Sequence, residues 1–374
     1  MILNSRQFRG WQQTRASGSS SMDIGPSVPS SDMPNSIHLC YENVNRSCVK
    51  AYIFSPAVKD IFYLIFSSMI VLTVAGNMLV IVSILHFKQL HTPTNFLILS
   101  LAAADLLLGV LVIPFAFAYN VENCWYLGHF FCKIHISLAM TLVTASIINL
   151  SFISIDRYYA VCRPLHYRTT ITVQTSLIMV MVSWGVSTLV GFGTIFLELN
   201  ILGEEEFYYK HVLCEGLCVF YLTATSRSIC TLLSFYLPAL IMLCIYLKIF
   251  LVAQRQARSI QSTTFQNQNS GAVASKSERK AFRTLAIVMG AFLCCWTPLF
   301  LCIVATPYLV HTNLPLVLAI ANSIGYSNSF LNPIVYAFFY SWFRRAFRMI
   351  VFGSIFQPQS SNTNLSGINN IRLN

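Results

Sequence analysis

Apolar residues along this chain arrive in long unbroken blocks, not in the alternations of period two or 3.6 that mark soluble strands and helices. Seven blocks stand near 61–86, 95–119, 130–158, 174–197, 225–251, 281–305 and 314–340. Each is long enough for a helix of about 20 residues to cross roughly 30 Å of hydrocarbon. Pro114, Pro238, Pro298 and Pro333 fall inside blocks, a placement membranes tolerate because neighbouring helices and water re-satisfy the freed backbone groups. Buried helices of a soluble protein are the alternative, and seven blocks parted by short polar loops argue against it. The pattern predicts an all-α membrane protein. A seven-helix transmembrane bundle fills 56–353, between an N-terminal segment, 1–55, and a tail, 354–374, with a short amphipathic helix after the seventh span.

Composition agrees: 55% of residues are hydrophobic and 10% charged, far from a soluble domain. Charge sets the orientation. With the N-terminus outside, the cytoplasmic segments hold 15 Lys and Arg and the three outer loops hold 3, Lys133, Lys210 and Arg227, as the positive-inside rule requires. The acidic run Glu204, Glu205, Glu206 then lies outside. The formal charge of +11 is a membrane-facing bias, not a nucleic-acid footprint, since no soluble binding fold carries it. The expected location is the plasma membrane, crossed several times.

Residues 1–55 lack the apolar core of a signal peptide, so the first helix serves as its own insertion signal. Met22 and Met33 are alternative starts to Met1. The sequon Asn45-Arg46-Ser47 lies in this outer segment and is a candidate glycan acceptor; Asn364-Leu365-Ser366 has the same form but falls inside the cell. Segments 259–277 and 357–374 are polar and read as loop and tail. Of 12 cysteines, six lie in or beside helices and read as small apolar residues. The other six, Cys40, Cys48, Cys124, Cys132, Cys214 and Cys218, lie on the oxidising side. A Cys132–Cys218 bridge would pin the loop before helix five over the bundle mouth. Cys40 with Cys214 is the next pairing, although spacing does not fix connectivity.

Short strings recur on these blocks: Gly76-Asn77 in the first, Leu101-Ala102-Ala103-Ala104-Asp105 in the second, and Asp156-Arg157-Tyr158 closing the third. Trp184 stands in the fourth, Cys295-Trp296-Thr297-Pro298 in the sixth, and Asn332-Pro333-Ile334-Val335-Tyr336 ends the seventh. Together and in order, they resemble the rhodopsin-like receptors from about residue 56 to 353. The run Asn328-Ser329-Phe330-Leu331-Asn332-Pro333, through Tyr336 and Tyr340 to Trp342-Phe343, is similar to the helix-seven fingerprint of trace amine-associated receptors. So are the stretches 86–95, 152–162 and 196–200.

The resemblance implies a receptor that reports a small extracellular ligand, a biogenic or odorant amine by family, to a heterotrimeric G protein. A stimulatory protein of the Gs or Golf type is expected, with arrestin and receptor kinases as further partners. Asp105 is a carboxylate deep in the bilayer, costly unless paired or protonated. By resemblance Ser146, Asn328, Ser329 and Asn332 surround it, an all-oxygen set for an allosteric sodium ion; the alternative is a neutral Asp105 held by hydrogen bonds. Arg157, beside Asp156, is expected to pair with Glu278 at the foot of helix six, with Tyr158, Tyr246 and Tyr336 completing the G-protein-facing switch. Ile147, Pro238, Phe292 and Trp296 would repack between ligand and switch.

The same register puts Ala139, Met140, Val143, Cys230, Thr231, Ser234, Trp296, Leu299, Phe300, Asn322 and Tyr326 in the ligand pocket, with Thr141 also facing it. Here the family pattern breaks. Amine receptors place an anchoring aspartate where this chain has Ala139, and the helix-five alternative is absent from Ser228–Ser234. Burying an ammonium with no partner costs several kcal/mol. The nearest acids are Glu215, Glu198 and Glu122, so the lining suits a neutral small molecule or lipid as the alternative ligand. Other classes lack support. An opsin needs a helix-seven lysine, a transporter shows repeats, and no phosphate loop, metal cluster or nucleophile–base set marks an enzyme or a cofactor site.

Overall fold

The computed structural model describes residues 38–50, 54–263, 271–305, 314–363 and 365, and leaves the side chains of 253, 256–263, 271–285 and 341 aside. Its seven long helices are α1 (Pro56–His86), α2 (Pro93–Glu122), α3 (Gly128–Cys162), α4 (Val173–Phe196), α5 (Ala224–Val252), α6 (Gly271–Ala305) and α7 (Leu314–Phe339). Each contains a stretch long and apolar enough to cross a bilayer. A short helix, α8 (Ser341–Val351), follows the last span; it buries Phe343 and Ala346 and sends Arg344 back to the carbonyls of Ala337 and Phe338, at 3.1 and 2.8 Å.

The helices outrun the apolar blocks. α3 continues to Cys162, beyond the expected 158, and stops before Pro164, because prolines and caps end a helix and hydropathy does not; α6 is already helical at Gly271, ahead of the expected 281. Thr92, Thr172 and Thr223 each accept a hydrogen bond from the backbone N–H three residues on, satisfying one of the orphan donors of a helix start. α2 breaks at Val112, two residues before Pro114, whose ring cannot continue the ladder of a straight helix. α5 widens into a π-turn over Leu232–Tyr236, just ahead of Pro238, which supplies no backbone N–H.

Lipid tails are as apolar as leucine, so close packing and interhelical hydrogen bonds hold such a bundle. Gly76 lies where a Cβ would be 2.8 Å from Pro333 of α7. Gly191 of α4 sits against α3, where a Cβ would stand 2.7 Å from the Ser137 carbonyl and collide with the Thr141 hydroxyl. Thr141 therefore faces α4 and does not line the central cavity, contrary to the sequence reading. The Trp184 indole donates to Ser100 at 3.0 Å, and Asn77 donates to the Ser329 carbonyl at 3.0 Å.

The bridges at the mouth correct the second pairing. Cys132 is bonded to Cys218, but Cys40 is bonded to Cys124 and Cys48 to Cys214. Residues 38–50 turn back on themselves, with Leu39 opposite Val49 and the Cys40 N–H donating to the Cys48 carbonyl at 2.9 Å. Cys48 in turn donates to the Glu215 carbonyl at 2.9 Å, so it, and not Cys40, is bonded to the second loop, although Cys40 packs on Gly216. Arg46 ties the same loop by donating to the carbonyls of Tyr209, Lys210 and Leu213.

Replacing Gly191 with Val should force α3 and α4 apart. Overpacking of this kind costs about 1–3 kcal/mol, so G191V should lower the thermal midpoint of the purified protein by several degrees, whereas V186A should leave it nearly unchanged.

Candidate functional site

Helices α2 to α7 surround a cavity of about 860 Å³, within the roughly 300–1,000 Å³ common to small-molecule sites. Its floor is aromatic. Trp296, Phe300 and Tyr326 line it, Trp296 meeting Tyr326 edge-on at 6.2 Å, while Phe300 stacks on Phe235, outside the lining, with ring centres 4.2 Å apart. Gly325 makes room for this, since a Cβ there would lie 2.9 Å from the Trp296 ring. Cys218, Phe220 and Leu222 come down from the loop as part of the wall. His135 also lines it, its Nε2 3.2 Å from the buried Val112 carbonyl at the break in α2, which accepts from the Ala116 N–H as well. A carbonyl only accepts, so that nitrogen carries the hydrogen.

No Asp or Glu lines the cavity among the described residues, and Ala139 forms part of its wall. None of the three nearby acids lines it, and two are engaged elsewhere. Glu122 pairs with Lys59 at 2.7 Å and accepts from the Tyr63 hydroxyl at 3.0 Å. Glu198 accepts from Tyr209 at 2.5 Å and Lys133 at 3.1 Å. The Tyr209 hydroxyl first, and Lys133 next, hold the Glu198 carboxyl below its usual range, while Tyr209 itself is pushed up to about 12. Glu215 is exposed and outside the lining.

Below the aromatic floor lies a buried polar centre. Asp105 is fully enclosed and accepts from Ser329 and Asn332 at 2.8 Å each and from Ser146 at 3.4 Å. Asn328 is 2% exposed, and its Oδ1 is buried with no hydrogen-bond partner. Farther along α3, Asp156 is wholly buried and gathers three donors: Thr94 at 2.9 Å, Tyr167 at 3.0 Å and the Arg157 Nε at 2.8 Å. Arg157 also donates to Thr94. Burial, and then the charge of Asp156, raise the Tyr167 hydroxyl. Glu278 lies on α6, but its side chain is outside the described residues. Tyr336 is buried, Tyr246 half-buried, and Lys248 sits 5.2 Å from the centre of the Tyr158 ring.

Residues 76–336 match the family described as 7 transmembrane receptor (rhodopsin family). Trace amine-associated receptor 1 of Macaca mulatta is 49% identical over 330 residues, 87% of this chain and 97% of the relative. Trace amine-associated receptor 1 of Homo sapiens is 48% identical over the same shares. Trace amine-associated receptor 4 of Mus musculus is 43% identical over 334 residues, 88% of this chain and 95% of the relative. The chain belongs to the trace amine-associated receptor family. It is a G-protein-coupled receptor and not an enzyme, a membrane protein that answers a small molecule and acts through a heterotrimeric G protein.

In this receptor all eleven pocket residues named from the sequence line the one cavity, and so do Ile147 and Pro238. Phe292 lies beneath, fully buried, its ring centre 6.2 Å from that of Phe235. The sequence reading missed Tyr119, Asn120, Trp125 and His135, which α2, its following loop and the first turns of α3 bring to the wall. It also missed Phe220 and Leu222. The signal for these two was present: they follow Cys218 directly, and a bridge to Cys132 obliges the chain after it to cross the mouth.

The Asp105 centre generates a stability contrast. D105L would strand the Ser329 and Asn332 donors, at about 1–3 kcal/mol for each buried group left unpaired. D105N keeps an acceptor oxygen. Thermal unfolding in detergent should therefore show D105L well below the parent and D105N between them; equal midpoints for the two variants would contradict this account.

Proposed function

We propose that this receptor sits in the plasma membrane with its N-terminal segment outside, takes a neutral small molecule into the cavity among α2 to α7, and signals through a stimulatory G protein of the Gs or Golf type. The observation that carries the ligand class is the lining, which has no carboxylate among the described residues and Ala139 at the position where the family places its aspartate. A buried ammonium there would lack a counter-charge, a cost of several kcal/mol. The printed names of the relatives favour a second reading, an amine ligand, which would need Glu215 or another acid outside the cavity wall to reach inward.

The orientation rests on the excess of Lys and Arg on the Asp156-Arg157-Tyr158 side, and the exposed Asn45 would then carry a glycan. Ligand contact at Trp296 and Phe300 would act through Ile147, Pro238 and Phe292 on Arg157. A ligand shifts such an equilibrium only by its differential affinity for the two states. Release of Arg157 from Asp156 and Thr94 is the change the G protein would read, with arrestin and receptor kinases following at the same face.

The donor set around Asp105 fits a sodium ion: one carboxylate, the Ser146 and Ser329 hydroxyls, and the unpartnered Asn328 oxygen. A bound cation would supply charge balance there. If it binds, the midpoint should be higher in sodium chloride than in potassium chloride for the parent and equal in both salts for D105N. No difference in the parent would leave Asp105 held by hydrogen bonds alone.

Ligand class is decided by cAMP accumulation in cells expressing the full chain, screened against monoamines, diamines and polyamines beside neutral odorants, with A139D in parallel. The expected result is that neutral compounds activate the native receptor and amines activate only A139D. Amine activation of the native receptor at micromolar concentration would overturn the neutral reading.

A further inference from the structure

We propose that the ligand is lipophilic and reaches the cavity from the bilayer, through a gap between α4 and α5; this deepens, and rests on, the reading of the cavity as the ligand site. Val186, Val190 and Thr194 of α4 and Ile229 and Leu233 of α5 line the cavity on that side. The four apolar ones are nevertheless 43, 37, 53 and 57% exposed in turn, so each borders both the cavity and the outer surface of the bundle.

The helices explain the gap. α4 buries Ser183, Ser187, Gly191 and Ile195 and packs on α3 and α2, whereas α5 packs on α3 and α6, and α4 and α5 share no extended contact. At 1.5 Å per residue, Val186 and Val190 lie roughly 9–15 Å along α4 from Phe196, at the depth of acyl chains and not of headgroups. The rim holds no charged side chain, and a charged molecule is strongly disfavoured at that depth. The opposite route is constrained, because the loop crossing the mouth is tethered through both Cys214 and Cys218.

Cys230 is a native reporter: it lines the cavity behind the gap and is not in a disulfide. The full-length receptor in phosphatidylcholine nanodiscs would be treated with neutral N-phenylmaleimide or with a trimethylammonium methanethiosulfonate. Labelling of the Cys230 peptide is followed by mass spectrometry, each rate normalised to the reagent's rate with N-acetylcysteine. The neutral reagent should react at least about tenfold faster, since the charged one is excluded from hydrocarbon. V190W and L233W should each slow it severalfold, and L233A, which needs no room for a larger ring, should speed it. Labelling at Cys294, exposed on α6, should not change. Equal normalised rates for the two reagents, no labelling by either, or neutral labelling indifferent to all three variants would overturn the gap. None of these readouts depends on signalling, so failure here is separable from failure of the cAMP screen to find a neutral ligand.

Discussion

Hydrocarbon offers no hydrogen bonds, and each polar group carried into it must find a partner within the protein or remain unsatisfied at a cost of several kcal/mol. Helices meet that demand for the backbone; side chains must meet it one by one. In this receptor they do so along the bundle axis. Asn77 donates to the Ser329 carbonyl, Ser329 and Asn332 donate to Asp105, and Ser146 approaches the same carboxylate from α3. Trp184 reaches Ser100 between α4 and α2. These bonds fix the rotation of α1, α2, α3, α4 and α7 about their own axes. Rotation decides which residues face the cavity, so the site is a consequence of the polar centre beneath it.

The same demand explains why the two ends of the molecule can be coupled. Asp105 lies between the aromatic floor of the cavity and the Asp156 cluster, and Asn332 and Pro333 on α7 adjoin Tyr336. A shift of α7 must change the donors around Asp105, because Ser329 and Asn332 both lie on it and a buried carboxylate cannot simply lose a partner to water. Packed interiors yield by switching between discrete arrangements, not by continuous deformation. In the proposed mechanism Arg157 makes such a switch. Its counter-charge, Asp156, is completely buried and shared with Thr94 and Tyr167, so moving the guanidinium leaves the carboxylate still doubly hydrogen-bonded. That lowers the cost of release relative to an isolated buried pair.

The sequence was most legible where helical register does the work. Once Arg157 and the prolines of α5, α6 and α7 are aligned, 3.6 residues per turn assigns each wall residue, which is why Ala139, Ser234, Asn322 and Tyr326 fall together. Register fails where phase is read loosely: Thr141, about 200° around α3 from Ala139 at 3.6 residues per turn, lies with Ser137 on the face that meets Gly191 and not on the cavity face. It fails again at helix ends, where Thr caps and the Pro114 break decide the outcome, and it could not foresee His135 reaching the Val112 carbonyl. The disulfides were the least legible. Their pairing depends on a turn of about ten residues outside the membrane, where hydropathy is silent and two cysteines eight apart, Cys40 and Cys48, compete for the same loop.

Specificity is a difference of affinities, and the walls of this cavity express it mostly by omission. An amine receptor anchors its ligand with one strong charge pair, which tolerates a shallow or wet pocket because the pair supplies both affinity and orientation. With alanine in that place, affinity must come from apolar contact spread over Trp296, Phe300, Met140 and Val143, and orientation from isolated polar groups such as Thr231, Ser234 and Asn322. Such a site gains most from ligands that leave water readily. The physical property that favours binding also concentrates those ligands in the membrane, so a wall that is open towards lipid between α4 and α5 costs such a receptor little selectivity. For a cationic ligand the same opening would be useless, since the ammonium would remain at the headgroups. On the proposed reading, the missing anchor and the opening in the wall answer to the same property, a ligand without charge.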